Sequence, residues 1–350
     1  MSEVVVLRSQ TRGAAAARSR APMDGVYSAL DLGTNNCRML VARPNGHGFR
    51  VIDAFSRITR LGEGLTASGA LSPPAMGRTV EALKTCAEKM MRRGVTHARH
   101  VATQACRQAS NVDGFIARVI AETGLEIEII TAEEEARLAL AGCAPLLDRR
   151  LSHALVFDIG GGSTELMWVR VERGRPPRIE AVISLPVGVV TLAERCGADL
   201  GGEAGYVRVL DEVIALFTPF EERCRLAGRI RAGGLQMLGT SGTVTTLGGI
   251  HLGLPRYDRS EVDGLVMPFH AIHAVSRRLA AMSHDERAAQ PCVGRERADL
   301  VVAGCVILEA VCTVWPVGRL RVADRGLREG MLLGMMRAGL AASPHADAAE

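Results

Sequence analysis

The sequence predicts a two-lobed α/β protein, and three observations carry that reading. The chain has 350 residues, a length that favours two domains over one. Strand-like apolar runs alternate with helix-like stretches along it. A strand–turn–strand segment also occurs twice: residues 29–43 read ALDLGTNNCRMLVAR and residues 156–170 read VFDIGGGSTELMWVR. At one constant offset Asp31 matches Asp158, Gly33 matches Gly160 and Arg43 matches Arg170. That spacing is too long for a solenoid and suits two related lobes, each opening with a β-hairpin.

The elements follow in order. Residues 1–24 are rich in Ala and Arg and lack an apolar stretch, so they read as a disordered basic tail and not as a signal peptide. Lobe I is expected over 25–145. It begins with the first hairpin and a third strand near 51–55. A helix over 74–93, a strand over 100–105 and a helix over 112–122 come next. A strand over 126–130 and a helix over 132–143 close it. Residues 145–150 read as the crossover to lobe II, expected over 146–325. This lobe holds the second hairpin, a strand over 179–185, and helices over 188–196, 205–216, 269–282 and 295–313, ending in a strand over 320–323. A last helix, 326–341, is expected to pack back on lobe I.

Composition narrows the function. The net charge is +4, and the tail, with Arg8, Arg12, Arg18 and Arg20 against Glu3 and Asp24, supplies half of it. The body is near neutral, so a general nucleic-acid binder is not expected, and any polyanion site must be local. No run of 18 apolar residues occurs, so no membrane span is expected. Nine cysteines with irregular spacing and no CxxC pair argue against disulfides and structural zinc, and fit a reducing cytoplasm. Only Lys84 and Lys89 are lysines among 42 basic residues, and no GxxxxGK[ST] segment exists, which excludes a P-loop NTPase.

The repeated turns carry the chemistry. Glycine lets backbone N–H groups approach an anion closely. Gly33 with Thr34, Asn35 and Asn36 does this in one copy. Gly160, Gly161 and Gly162 with Ser163 and Thr164 do it in the other. An aspartate before such a turn repels phosphate but holds Mg²⁺, usually through water. Asp31 and Asp158 are therefore metal candidates, together with Glu165. A third turn, Gly239-Thr240-Ser241-Gly242-Thr243, precedes a helix whose N-terminus favours anions. Arg38 and Arg60 are further phosphate candidates. Arg297 and Asp299 either pair structurally or line the cleft, and are left out of the site.

One carboxylate stands apart. In the segment 131–139, Thr131 and Glu134 form a capping pattern, and Glu133 suits the helix dipole. Glu135 has neither explanation. Its helical neighbours Leu138, Ala139 and Gly142 are apolar, so it points inward, where burial raises a carboxyl pKa towards that of a general base. Arg107 is placed at the end of the 100–105 strand, where α/β proteins bind ligands and where a guanidinium can fork onto phosphate.

Together, ALDLGTNNCRML, ATQACRQ, TAEEEARLALAG, VFDIGGGSTEL and LGTSGTVTTL resemble the exopolyphosphatase/guanosine pentaphosphate phosphatase family, in its short two-domain form. The resemblance runs from about Tyr27 to Leu340. It implies the actin/Hsp70/sugar-kinase (ribonuclease H-like) superfold. It also implies Mg²⁺- or Mn²⁺-dependent release of terminal phosphate from inorganic polyphosphate or from guanosine phosphates such as pppGpp. Glu135 matches the family's catalytic glutamate, Asp31 and Asp158 its turn aspartates, and Arg107 the arginine of its ATxxxR segment. Asn36 departs from the usual Ser/Thr. Family members often form homodimers, and the resemblance implies the same here. A kinase of the same superfold and a non-catalytic sensor of polyphosphate or (p)ppGpp are the rival readings.

Overall fold

A computed structural model describes residues 25–46, 48–200 and 202–342; the tail expected over 1–24 lies outside them. Sheet A is formed by β1 (Tyr27–Leu32), β2 (Asn36–Asn45), β3 (Gly48–Ile58), β4 (His97–Ala102) and β5 (Glu128–Ile129), in the order β3-β2-β1-β4-β5. Sheet B is formed by β6 (His153–Ile159), β7 (Thr164–Arg170), β8 (Arg178–Leu185), β9 (Leu235–Thr240), β10 (Val266–Pro268) and β11 (Arg319–Ala323), in the order β8-β7-β6-β9-β11-β10. The first three strands of each sheet are antiparallel, and β1‖β4‖β5 repeats as β6‖β9‖β11. The internal repeat is thus a repeat of topology: two ribonuclease H-like lobes of the actin/Hsp70/sugar-kinase superfold.

The helices of the first lobe are α1 (Leu65–Ser68), α2 (Pro73–Arg93), α3 (Gln104–Gln108), α4 (Val112–Thr123) and α5 (Ala132–Cys143). The second has α6 (Val189–Cys196), α7 (Glu203–Cys224), α8 (Leu226–Ala232), α9 (Gly242–His251), α10 (Arg259–Val262), α11 (Phe269–Ala281), α12 (His284–Ala288), α13 (Val301–Val314) and α14 (Leu327–Ala342). None is long and apolar enough to cross a membrane among the described residues. All nine cysteines are free.

The apolar periodicity of each helix decides where it packs. The outer face of sheet A buries Leu30, Leu32 and Met39 with Val80 and Leu83 of α2. The outer face of sheet B buries Phe157 and Leu166 with α7 and α13, a helix buried nearly all round and apolar but for Glu309 and Thr313. Between the sheets lie two helices, and they are exchanged. α5 follows a strand of sheet A but sets Ala136, Leu140 and Cys143 on Val156, Met167 and Val182 of sheet B. α14 follows a strand of sheet B but sets Leu327, Met331 and Leu332 on Tyr27, Ala29 and Leu40 of sheet A. The helix expected within lobe I therefore packs on the sheet of lobe II. The two helices cross at closest range through glycines: a Cβ on Gly142 would strike the carbonyl of Gly326, and one on Gly330 that of Leu138.

Three expected elements differ. The 100–105 strand ends at Ala102, and Arg107 lies on α3 instead, because the chain turns at Thr103, whose carbonyl accepts from the amides of Cys106 and Arg107. The helix expected from 205 to 216 runs on to Cys224 through Pro219, since Phe217 and Phe220 bury against Trp315. The helix expected from 295 begins at Val301, after a short 3₁₀ turn at Arg295–Arg297.

Candidate active site

The two hairpin turns meet at the bottom of the cleft between the lobes. Each is closed the same way: Gly33 N donates to Asn36 O, and Gly160 N to Ser163 O, both at 2.9 Å. In lobe II, α6 lies behind the turn, and its Val189 and Val190 amides donate to Gly160 O and Gly161 O at 3.0 and 2.8 Å. A trans peptide sets each N–H opposite the preceding carbonyl, so the amides of Gly161 and Gly162 face away from α6 into the cleft. In lobe I, Thr34 O accepts from Gly62 N, and Asn35 O from the amides of Thr59 and Arg60. The amides of Asn35 and Asn36 are turned outward by the same rule. Arg60 holds its end of this contact with φ 49°, a left-handed conformation that costs a non-glycine residue energy. The turns are so close that a Cβ at Gly161 would come within 2.9 Å of Thr34 Cβ; glycine is required there by the approach of the other lobe.

The third turn completes the cradle. Ser241 caps α9, its hydroxyl accepting from Val244 N at 3.1 Å, while Gly242 and Thr243 line the cleft with the first-turn amides of the helix. Arg38 reaches towards Gly242 from the other lobe.

The cleft holds about 140 Å³. Asp31, Asp158, Glu135, Arg38, Gly33, Thr34, Asn35, Asn36, Gly160, Gly161, Gly162, Ser163, Ser241, Gly242 and Thr243 all line it. Five predicted residues do not: Arg60, Arg107, Thr164, Glu165 and Gly239. Thr164 gives its hydroxyl to Val187 O at 2.6 Å. Gly239 lies against the ring of Phe157, where a side chain would clash. Glu165 is buried behind the turn, its Oε1 accepting from the hydroxyls of Ser163 and Ser184 at 2.7 and 2.8 Å. Arg107 stands behind Glu135. Its Nη1 donates to Glu135 Oε2 at 2.8 Å and to Ile130 O at 3.0 Å, and its Nη2 to Gln104 Oε1 at 2.8 Å. The guanidinium is thereby committed to orienting the glutamate.

α5 delivers Glu135 by its N-terminus. Thr131 Oγ1 accepts from Glu134 N at 3.2 Å, and Glu134 turns outward to Arg99 and Arg137. Glu135 turns inward, with its side chain 14% exposed. Burial, then the nearby Glu165 charge, push its carboxyl well above the usual range, while Arg107 pulls it down. Burial beside Glu165 and Asp31 pushes Asp158 up to about 8. Asp31 is also raised by burial, against the pull of Arg328 and Arg38.

Sequence reasoning left out Gln104, Thr246 and Arg297, which also line the cleft. Among the described residues the Arg297 side chain donates to Thr246 Oγ1, at 3.5 Å, and its signal was its place in the RERADL segment beside Asp299. Asp299 itself pairs across the cleft mouth with Arg60 at 3.0 Å.

Asp31 and Asp158 offer hard oxygen ligands in a cleft whose carboxylates repel one another, which a cation would relieve. Among the described residues no three acidic, His or Cys side chains converge as a cage. The site therefore suits a cation that keeps waters and takes remaining ligands from phosphate, as Mg²⁺ does.

Comparison with known proteins agrees with this geometry. Residues 40–338 match the Ppx/GppA phosphatase family. The chain is 29% identical over 325 residues to exopolyphosphatase 2 of Mycobacterium tuberculosis, spanning 88% of this chain and 98% of that protein. Among solved structures, an exopolyphosphatase-like protein superposes with a TM-score of 0.81 at 27% identity, covering 90% of this chain and 99% of the other. A PPX-GPPA enzyme from Aquifex aeolicus does so with 0.73 at 28% identity, covering 89% and 99%.

Proposed function

Since the chain belongs to the Ppx/GppA phosphatase family and is an enzyme of its phosphoanhydride-hydrolase kind, we propose that it releases orthophosphate from the ends of inorganic polyphosphate, with Glu135 as general base. The observation that carries this reading is the placement of Glu135. It lines the same cleft as three sets of turn amides and is held by Arg107 from behind.

The amides of Gly161, Gly162, Asn35 and Asn36 and the α9 N-terminus bind the terminal phosphates and spread their charge. Arg38 and Arg297 add cationic donors from opposite lobes. A divalent cation held through Asp31 and Asp158 would supply the remaining charge neutralisation. Glu135 orients a water and takes its proton for in-line attack at the terminal phosphorus, and the shortened chain leaves. Arg107 keeps Glu135 pointed at that water and favours its ionised form against the effect of burial. The closed turns exclude bulk solvent.

A guanosine substrate would want a stacking surface. Among the described residues no aromatic side chain lines the cleft, and Trp168 and Trp315 are buried in the core. This favours an inorganic chain. The test is kcat/KM for long polyphosphate against pppGpp, measured side by side at one salt concentration. A higher value for polyphosphate is expected. A higher value for pppGpp would reassign the substrate to guanosine pentaphosphate.

A further inference from the structure

A second cavity lies on the far side of α5, and it is basic. It is a groove of about 1120 Å³, much larger than the cleft, between α5, α14 and the β7–β8 loop. Arg137, Arg149, Arg175, Arg178 and Arg337 line it, against the single carboxylate of Glu180. A body that is otherwise near neutral thus concentrates positive charge in one place.

These charges are weakly neutralised. Arg149 donates to the carbonyls of Glu172 and Arg175, at 3.1 and 2.6 Å, and so fixes the loop while keeping its charge. The side chains of Arg137, Arg175 and Arg178 are each more than half exposed, and their nearest carboxylates stand at 3.7, 3.3 and 3.5 Å. Arg337 is exposed on α14 and meets no carboxylate among the described residues. Exposed pairs of this kind contribute little and give way to a stronger anion.

Position separates this groove from the cleft. Arg137 follows Glu135 by two residues, about 200° round the helix, so the two side chains leave α5 on opposite sides. An anion in the groove is therefore not an extension of the phosphates at Glu135. A chain that occupies both places has to pass round α5, whose diameter is about 10–12 Å. A long polyanion can do so; one of a few phosphates cannot.

We propose that this groove is a second, non-catalytic polyphosphate site, which holds a distal stretch of a long chain while its end lies in the cleft. The proposal rests on the polyphosphatase reading above. Holding one chain at two places raises its effective concentration at the cleft without any new contact there. Short chains gain nothing from it.

The experiment compares the wild-type protein with an Arg175→Ala/Arg178→Ala/Arg337→Ala variant, whose substitutions all lie on the surface and away from α5. KM and kcat are measured for long-chain polyphosphate and for tripolyphosphate. The expected result is a rise in long-chain KM of about tenfold or more, with kcat and the tripolyphosphate KM unchanged. An unchanged long-chain KM, or an equal rise for both substrates, overturns the proposal. If the wild-type protein hydrolyses neither substrate, the polyphosphatase reading fails by itself. Equilibrium binding of long polyphosphate then decides the groove: weaker binding by the variant supports it, and equal binding overturns it.

Discussion

Arg38 and Glu165 occupy the same place in the two hairpins. Arg38 lies across the β1–β2 ladder from Asp31, and Glu165 lies across the β6–β7 ladder from Asp158. The repeat keeps its aspartates and inverts the charge beside them. Arg38 pulls the carboxyl of Asp31 down against its burial, whereas Glu165 adds to the burial that raises Asp158. The two aspartates of the repeat thus stand in unlike electrostatic surroundings, although both line one cleft.

From that asymmetry follows a prediction about metal. Asp158→Asn should raise the Mg²⁺ concentration for half-maximal phosphate release by about 10–100-fold, and excess chelator should abolish turnover of the wild-type protein. Full activity in excess chelator would exclude a catalytic cation.

Arg107 is expected to act on rate through Glu135 and not through substrate. Glu135 works as a base only when deprotonated. Burial raises its pKa and Arg107 lowers it, so removing the guanidinium lets the carboxyl keep its proton to higher pH. In Arg107→Gln the acid limb of the kcat/KM profile should move upward, with the KM for tripolyphosphate little changed. A large rise in KM with an unmoved pH profile would instead make Arg107 a phosphate ligand.

The exchanged helices make a prediction about stability. Gly142→Ala and Gly330→Ala each place a methyl against backbone of the other helix, which has no free rotamer to give way. Each should lower stability by about 1–3 kcal/mol, the usual cost of overpacking. Gly334→Ala, which meets nothing within 4 Å, is the control and should be neutral or slightly stabilising. Equal denaturation midpoints for all three would show that the crossing relaxes freely.

The sequence made the repeat, and so both hairpins, legible, because Asp, Gly and alternating apolar residues each have a local cause at their positions. The helix over 132–143 was legible to its ends for the same reason: Thr131 caps it, and its apolar face has helical spacing. The exchange of α5 and α14 was not legible, since an apolar face states that a helix is covered but not by which sheet. Arg107 was misplaced on a strand because ATQACR alternates as a strand would; the sheet pairing ends with Thr103 N on Leu32 O, and the Thr103 carbonyl then turns the chain into α3 by accepting from Cys106 and Arg107. Thr164 and Gly239 looked like ligand residues by composition alone. Their real partners, Val187 O and the Phe157 ring, are remote in sequence. Arg297 showed the converse: its RERADL segment allowed either a structural pair or a place in the cleft, and the structure puts it in the cleft.

The most direct test of the account is the rate of orthophosphate release from long polyphosphate by wild-type protein and by Glu135→Gln, with Mg²⁺, alongside equilibrium binding of the same chain. The substitution keeps the shape of the side chain and removes the base. The account predicts release by the wild type, a fall in kcat of about 10²–10⁴-fold in the variant, and nearly unchanged binding. Equal rates for the two proteins would contradict it, as would wild-type protein that binds polyphosphate and releases nothing.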